Sequence, residues 1–179
     1  LVFECNDGGL YVSTNTGLNW QDISNVLGIS QIYRIAVGQS SGNNVLIGMQ
    51  DNGSRVYRNN RWNYATGGDG MDCAIDFSNS NIQYGCYVYG TIYRTMDGWS
   101  NQSNVVEISK NIPEAKKGAW LTPIAINPQK PNIIYAAYDD VWASTDRGDY
   151  WFRLSFGLTG GVTLNSMVVA HSNTNFIYF

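Results

Sequence analysis

A single histidine, His171, stands in 179 residues. Histidine-rich metal centres are thereby excluded, and any nucleophile–histidine pair would rest on this one residue. Its position argues against that role: His171 falls in the slot that other repeats of the chain fill with Asp76 and Asn127, as a turn starter. Charge is equally scarce. Eleven basic and fourteen acidic residues leave a formal charge of −3 and a sequence pI near 4.9, a balance that draws neither nucleic acid nor an anionic membrane by long-range attraction. No stretch approaches the roughly 20 apolar residues of a membrane helix, no basic-then-apolar leader opens the sequence, and no apolar run follows a helical period. What the chain does have is 13% aromatic residues and 19 glycines, as many short packed strands joined by tight turns require.

Three segments repeat one turn pattern. Ser13-Thr14-Asn15-Thr16-Gly17-Leu18-Asn19-Trp20 and Ser144-Thr145-Asp146-Arg147-Gly148-Asp149-Tyr150-Trp151 are complete, and Thr95-Met96-Asp97-Gly98-Trp99 is a looser copy. The Asp or Asn side chain can accept hydrogen bonds from N–H groups of its own turn. The Ser or Thr hydroxyl can bond locally, and Gly takes a positive φ. The Trp one strand later can cover the apolar side of the hairpin. In the third copy Trp99 stands where Gly is expected and Gln102 where Trp is expected, which leaves the geometry of that turn open.

The repeat extends beyond the turn. Val2-Phe3-Glu4-Cys5, Leu46-Ile47-Gly48-Met49, Gln83-Tyr84-Gly85-Cys86, Ile134-Tyr135-Ala136-Ala137 and Ile177-Tyr178-Phe179 form one series. Their starting positions lie 44, 37, 51 and 43 residues apart. A second series keeps step with it: Ile35-Ala36-Val37-Gly38, Cys73-Ala74-Ile75-Asp76, Ile124-Ala125-Ile126-Asn127 and Val168-Val169-Ala170-His171. A unit of about 40–50 residues holding several short strands has the spacing of a β-propeller blade. The sequence therefore predicts an all-β fold of about four blades of four antiparallel strands, A to D. The repeat units cover residues 1–34, 35–72, 73–122 and 123–166, with a fifth beginning at 167–179. The second series supplies strand A and the first series strand B. Strand C is Leu10-Tyr11-Val12, Arg55-Val56-Tyr57, Thr91-Ile92-Tyr93 and Val141-Trp142-Ala143. Strand D begins near Trp20, Trp62 and Trp151. Because the sequence opens within one strand B and stops within another, it is expected to be a segment of a larger propeller, with a closed four-bladed ring and an unclosed or partner-completed arrangement as the alternatives.

The turn resembles the Asp-box, or BNR, repeat of sialidases, sortilin-type receptors, family 74 glycoside hydrolases and many secreted bacterial propellers. The resemblance assigns structural roles to Ser13, Asn15, Gly17, Trp20, Thr95, Asp97, Ser144, Asp146, Gly148 and Trp151. The runs Gly48-Met49-Gln50-Asp51-Asn52-Gly53 and Gly67-Gly68-Asp69-Gly70-Met71-Asp72 further resemble large secreted Bacteroidetes proteins with sortilin-like propellers, which often carry a type IX secretion sorting domain. That likeness implies an exported protein, extracellular or at the cell surface, without implying one activity.

In an up-and-down blade the A–B and C–D turns emerge on one face, and the B–C loops and D–A links on the other. The second face would carry Asp7, Gln50, Asp51, Asn52, Tyr87, Tyr89, Asp139 and Asp140 from B–C loops, and Asp69, Asp72, Trp120 and Thr122 from D–A links. Aromatic rings stack on pyranose faces and carboxylates bond sugar hydroxyls, so this is the face to search for a glycan or protein ligand. A non-enzymatic binding or scaffold module is the expected function. The remaining blades of the same polypeptide are its further expected partner. The alternative is a fragment of a glycan-active, xyloglucanase-like hydrolase, for which Asp51 and Asp69 are the first pair to name as acid and base. A sialidase is disfavoured, because Arg34, Arg55, Arg58, Arg61, Arg94, Arg147 and Arg153 do not recur in those loops.

No cofactor is expected, although Asp139-Asp140 could supply oxygen ligands to a structural calcium. Cys5, Cys73 and Cys86 occupy strand slots filled elsewhere by core residues and read as small hydrophobes. Cys73 and Cys86 lie on neighbouring antiparallel strands, which leaves a cross-strand disulfide open.

Overall fold

The computed structural model describes residues 1–6, 9–24, 30–40, 42–113 and 118–179. It is built of antiparallel sheets in two compact units, residues 1–31 and 32–179. The first unit holds β1 (Val2–Asn6), β2 (Gly9–Ser13) and β3 (Gln21–Asp22) in that order.

The second unit holds three four-stranded sheets and a two-stranded one. These are β4 (Ile32–Val37), β5 (Val45–Met49), β6 (Gly53–Arg58) and β7 (Arg61–Thr66); then β8 (Cys73–Ile75), β9 (Gln83–Tyr87), β10 (Thr91–Thr95) and β11 (Val106–Glu107). The third sheet is β12 (Ile124–Ile126), β13 (Ile134–Ala137), β14 (Val141–Ser144) and β15 (Phe152–Arg153), and the last is β16 (Val168–Val169) with β17 (Ile177–Tyr178). Among the described residues every pairing joins chain neighbours, and no sheet closes on itself. The A series of the sequence falls in β4, β8, β12 and β16, and the B and C series in the strands that follow each. The D strands are two residues long except β7, which has six.

Consecutive sheets of the second unit pack face to face. Leu46, Val56 and Ala65 of one sheet enclose Cys73, Ile75 and Trp99 of the next. Tyr84, Cys86, Ile92 and Ile108 meet Ile134, Ala136, Trp142 and Trp151, and Tyr135 and Ala143 meet Val169. A strand with one residue in each of two clusters on alternate positions is what period-2 packing between two neighbours requires.

The three turns after strand C share one hydrogen-bond plan. Ser13, Thr95 and Ser144 are buried, and their hydroxyls donate to Oδ1 of Asn15, Asp97 and Asp146 at 3.0, 2.8 and 2.7 Å. The same hydroxyls accept the N–H of Gly17, Trp99 and Gly148 at 2.8, 3.2 and 2.7 Å. Two consecutive residues in each turn have positive φ: Thr16 and Gly17, Gly98 and Trp99, Arg147 and Gly148. The looser third copy thus adopts the geometry of the other two, with Trp99 at φ 65° where the others place glycine. The position carries its own compensation. Trp99 is 4% exposed and its Nε1 donates to Gln83 Oε1 at 2.9 Å, so it fills the inter-sheet space that Trp151 fills one sheet later. The second C–D connection is a different device, a two-residue hairpin turn with Asn59 and Asn60 both at positive φ, the form that asparagine tolerates.

Arginine fastens two of these turns, those of Asp97 and Asp146, to the preceding sheet. Arg58 Nη1 donates to the carbonyls of Asp97 and Gly98, both at 2.8 Å. Arg94 Nη1 donates to the carbonyl of Arg147 at 2.8 Å and pairs with Asp149 at 2.9 Å. Gly98 and Arg147 are equivalent turn positions, so the two contacts are one contact repeated.

Three sequence expectations are corrected. The slot of Asp76 and Asn127, whose N–H groups bond the carbonyls of Ile82 and Ile133, is filled in the last sheet by Ala170, bonded to Phe176, and not by His171. His171 lies one residue further, exposed. Cys5 is exposed rather than a core residue. Cys73 pairs with Gly85 across the ladder, so Cys86, one residue on, points to the opposite face. The two thiols lie in different clusters and no disulfide joins them. Burial, with the charge of Asp72 adding to it, pushes the Cys73 thiol up to about 12.

Two outcomes follow from this packing. Arg58→Ala and Arg94→Ala each remove charge-assisted hydrogen bonds and are expected to lower stability by about 1.5–3 kcal/mol in denaturant unfolding. Changes under about 0.5 kcal/mol for both, the range of ordinary surface substitutions, would show that the arginine contacts do not join the sheets. Thiol labelling of the native chain with a small maleimide is expected to modify Cys5 and spare Cys73 and Cys86 until denaturant is added; a Cys73–Cys86 linked peptide after mild oxidation would contradict the assigned faces.

Candidate functional site

The β5–β6 turn, with Gln50, Asp51 and Asn52, lies against the link that joins β7 to β8. The carbonyl of Gly68 accepts the N–H of Gly53 at 2.6 Å, and that of Met49 accepts the N–H of Gly70 at 2.9 Å. A Cβ on Gly48 or Gly70 would fall 2.0 Å from the Met71 carbonyl oxygen or 2.3 Å from that of Gly53, so only glycine permits this approach. The structure brings Asp51 and Asp69 together, through a backbone contact: Asp69 Oδ1 accepts the Asp51 N–H at 3.0 Å, and Asp51 sits at φ 57°. Asn52 Nδ2 donates to the Gln50 carbonyl at 3.1 Å. Gln50 Oε1 in turn accepts from the Tyr33 hydroxyl at 2.9 Å.

Asp72 is a bridge between inner strands. Its Oδ1 accepts the N–H of Cys73 at 2.9 Å and its Oδ2 that of Ile124 at 3.0 Å, joining the starts of β8 and β12, with Arg34 Nε 3.9 Å away. Burial pushes its carboxyl above the usual range, against these hydrogen bonds and the Arg34 charge. Asp140 is 1% exposed and both its oxygens are engaged. Arg153 and Gly157 N–H donate to Oδ2, and the Ser155 hydroxyl and Leu158 N–H to Oδ1. Burial opposes its ionisation, but these donors outweigh it and hold the carboxyl well below the usual carboxylate range. With every acceptor site facing a protein donor, Asp140 has none left for a cation. Among the described residues no three His, Cys, Asp or Glu side chains gather to hold a metal ion. The carbonyl of neighbouring Asp139 accepts from the Thr159 hydroxyl at 3.0 Å.

The aromatic candidates divide. Tyr89 and Trp120 meet edge to face, with ring centroids 5.3 Å apart, on a link tied by Gly118 N–H to the Tyr89 carbonyl. Both remain about two-fifths exposed. Thr122 is buried and donates to the Ala119 carbonyl at 2.8 Å. Asp7 lies outside the described residues. Tyr87 turns instead into a cleft of about 600 Å³ between β7 and the sheet of β8–β11. Tyr64, Tyr93, Gln102, Glu107 and Lys110 also line it, and sequence reasoning passed over all five. Tyr93 falls in a strand C and Tyr64 in a strand D, slots that read as structural, while Gln102 and Lys110 lie in the short turns 102–104 and 109–111 outside the strand series.

No protein-family model matches this sequence, and no curated protein matches it. Solved structures do. The xyloglucanase of family GH74 from Xanthomonas campestris superposes with a TM-score of 0.52 at 16% identity, covering 82% of this chain and 26% of that one. The GH74 enzyme of Niastella koreensis gives 0.50 at 12% identity, over 82% and 26%. YCF48 from Cyanidioschyzon merolae gives 0.51 at 16%, over 78% and 46%. The chain thus spans about a quarter of the length of the two GH74 enzymes and under half of YCF48. At these identities the likeness speaks for architecture alone, and with the stacked four-stranded sheets it places the chain among the β-propellers.

Proposed function

We propose that this chain is a non-enzymatic propeller module of an exported protein, extracellular or on the cell surface, that presents a binding face to a glycan or protein partner. The observation that carries the reading is the state of the loop carboxylates. Asp69 caps the Asp51 backbone, Asp72 ties two inner strands, and Asp140 is saturated by four donors. Groups consumed in this way hold loops in place and leave little for proton transfer. The Asp-box character of the three turns, the likeness to sortilin-type propellers and a type IX export route belong to the same reading.

Exposed apolar side chains on the first and last sheets of the second unit support a larger ring. Ile35 and Val37 on β4 and Val168 and Tyr178 on the last sheet are more than half exposed, faces that further blades of the same polypeptide would cover. The second reading, a fragment of a glycan-active hydrolase using Asp51 and Asp69, is favoured by the likeness to two glycoside hydrolases of family GH74.

Two measurements test this. Incubated with xyloglucan and linear β-glucans, the chain is expected to release no reducing ends; release that Asp51→Asn and Asp69→Asn each abolish would replace the binding reading with the hydrolase. Asp140→Asn is expected to cost about 3 kcal/mol of stability, the effect of breaking a buried ion pair. Because the folded carboxyl ionises below its unfolded value of about 4, its contribution is complete above that pH and is lost as pH falls through the folded value. Equal acid sensitivity of the wild type and Asp140→Asn would contradict the structural role.

A further inference from the structure

We infer that the cleft between β7 and the sheet of β8–β11 is a binding site for a short neutral oligosaccharide, an inference that rests on the glycan side of the reading above. Its volume, about 600 Å³, lies within the range of about 300–1,000 Å³ typical of small-molecule sites. Four observations set it apart from a packing gap.

The first is a bulge. Ser54 pairs with Thr66 but Arg55 pairs with Tyr64, so Ala65 is an extra residue in β7. In a regular strand neighbouring side chains point to opposite faces. The bulge instead lets Tyr64, Ala65 and Thr66, three consecutive residues, line one cleft. Bulges recur where a strand must re-aim a side chain toward a site.

The second is the seating of Tyr87. A Cβ on Gly68 would lie 2.5 Å from the Tyr87 ring, and Gly68 has φ +67°. Glycine here allows the ring to rest on the link backbone beside the cleft.

The third is unsatisfied polarity. The Thr66 hydroxyl is buried and has no hydrogen-bond partner, a state that proteins rarely leave unexplained. Tyr64, Tyr87, Tyr93 and Gln102, which line the same cleft, are exposed or partly exposed and add hydroxyl and amide groups that are open to solvent. The loop aspartates show the reverse, with their acceptors filled. A cleft whose wall offers both aromatic faces and open donors and acceptors fits a ligand with apolar C–H faces and many hydroxyls, which describes a pyranose.

The fourth is charge. Glu107 and Lys110 pair at 2.9 Å, and Arg55 lies over the Tyr64 ring, 5.1 Å from its centroid. Among the described residues that line the cleft, the one carboxylate and the one ammonium are thus paired with each other, a lining without net charge that suits a neutral ligand.

The test is calorimetric titration of the full chain with cellotetraose, xylotetraose and maltotetraose. At least one is expected to bind, with Tyr64→Ala and Tyr93→Phe each weakening it tenfold or more and the remote, exposed Tyr150→Ala leaving it within twofold. Tyr64 is half exposed and Tyr93→Phe removes a single hydroxyl, so both variants are expected to fold. Gly68→Ala, which displaces the Tyr87 ring, is expected to weaken the same sugar. Binding that survives the cleft variants overturns the inference. If Trp120→Ala abolishes that surviving binding, the glycan reading stands and the site moves to the loop face. No binding of the wild type to any of the three sugars overturns the inference and the glycan side of the proposed function together.

Discussion

Two consecutive residues at positive φ are costly for any chain that does not hold them in place, and in the turns of Asp97 and Asp146 such a pair is the point of contact between one sheet and the next. The turn after strand C turns its backbone so that one carbonyl faces away from its own hairpin. Arg58 and Arg94 reach those carbonyls from the sheet before. The Ser/Thr–Asp/Asn pair makes the conformation affordable by satisfying the N–H groups that the left-handed pair exposes. Where Trp99 replaces glycine the turn still keeps this plan, and its Gly98 carbonyl still meets Arg58.

From that contact the packing follows. Once the turn and the inner strands of consecutive sheets are joined, at one end by arginine and at the other by the Asp72 bridge, the faces between them close on a tryptophan. Trp151 comes from the end of its turn and Trp99 from the middle, yet each lies buried between its sheet and the one before. The same face-to-face stacking explains why Cys73 and Cys86 are apart. A strand sandwiched between two sheets sends alternate residues to different cores, and a one-residue offset in the ladder is enough to separate two thiols that are close in sequence.

The repeating part of the fold was legible because it is local. Strand series, turn residues and blade spacing all arise from period-2 alternation and from turn chemistry written within eight residues. What was not legible depends on register or on a partner sheet. His171 was placed one residue out, since Ala170 and His171 are equally compatible with the series until the Ala170 to Phe176 bond fixes the count. The arginine contacts span 39 to 53 residues and leave no mark at any fixed spacing. Of the candidate ligand residues, Asp69 meets the Asp51 backbone and Tyr89 meets Trp120, but whether a carboxylate is free or spent depends on N–H groups brought in by other segments. The cleft escaped notice for the same reason. The extra residue at Ala65 shifts a register without altering any motif, and Tyr64 and Tyr93 read as ordinary strand tyrosines.

The division between loop face and cleft has a common physical origin. A loop that leaves a sheet must satisfy its own backbone donors and acceptors, and in this chain the aspartates of the loops are drawn into that task. A strand in a ladder has no such need, so its side chains are free for other partners wherever neighbouring elements fail to cover them. Here β7 runs for six residues while β11, the outer strand of the following sheet, runs for two. The shortfall uncovers the bulged end of β7 and leaves Tyr64 and Thr66 facing Tyr93 and Glu107 across open space. Polar groups without partners accumulate where strand lengths disagree, and that mismatch, more than the acidic loops, is where this propeller has chemistry to spare.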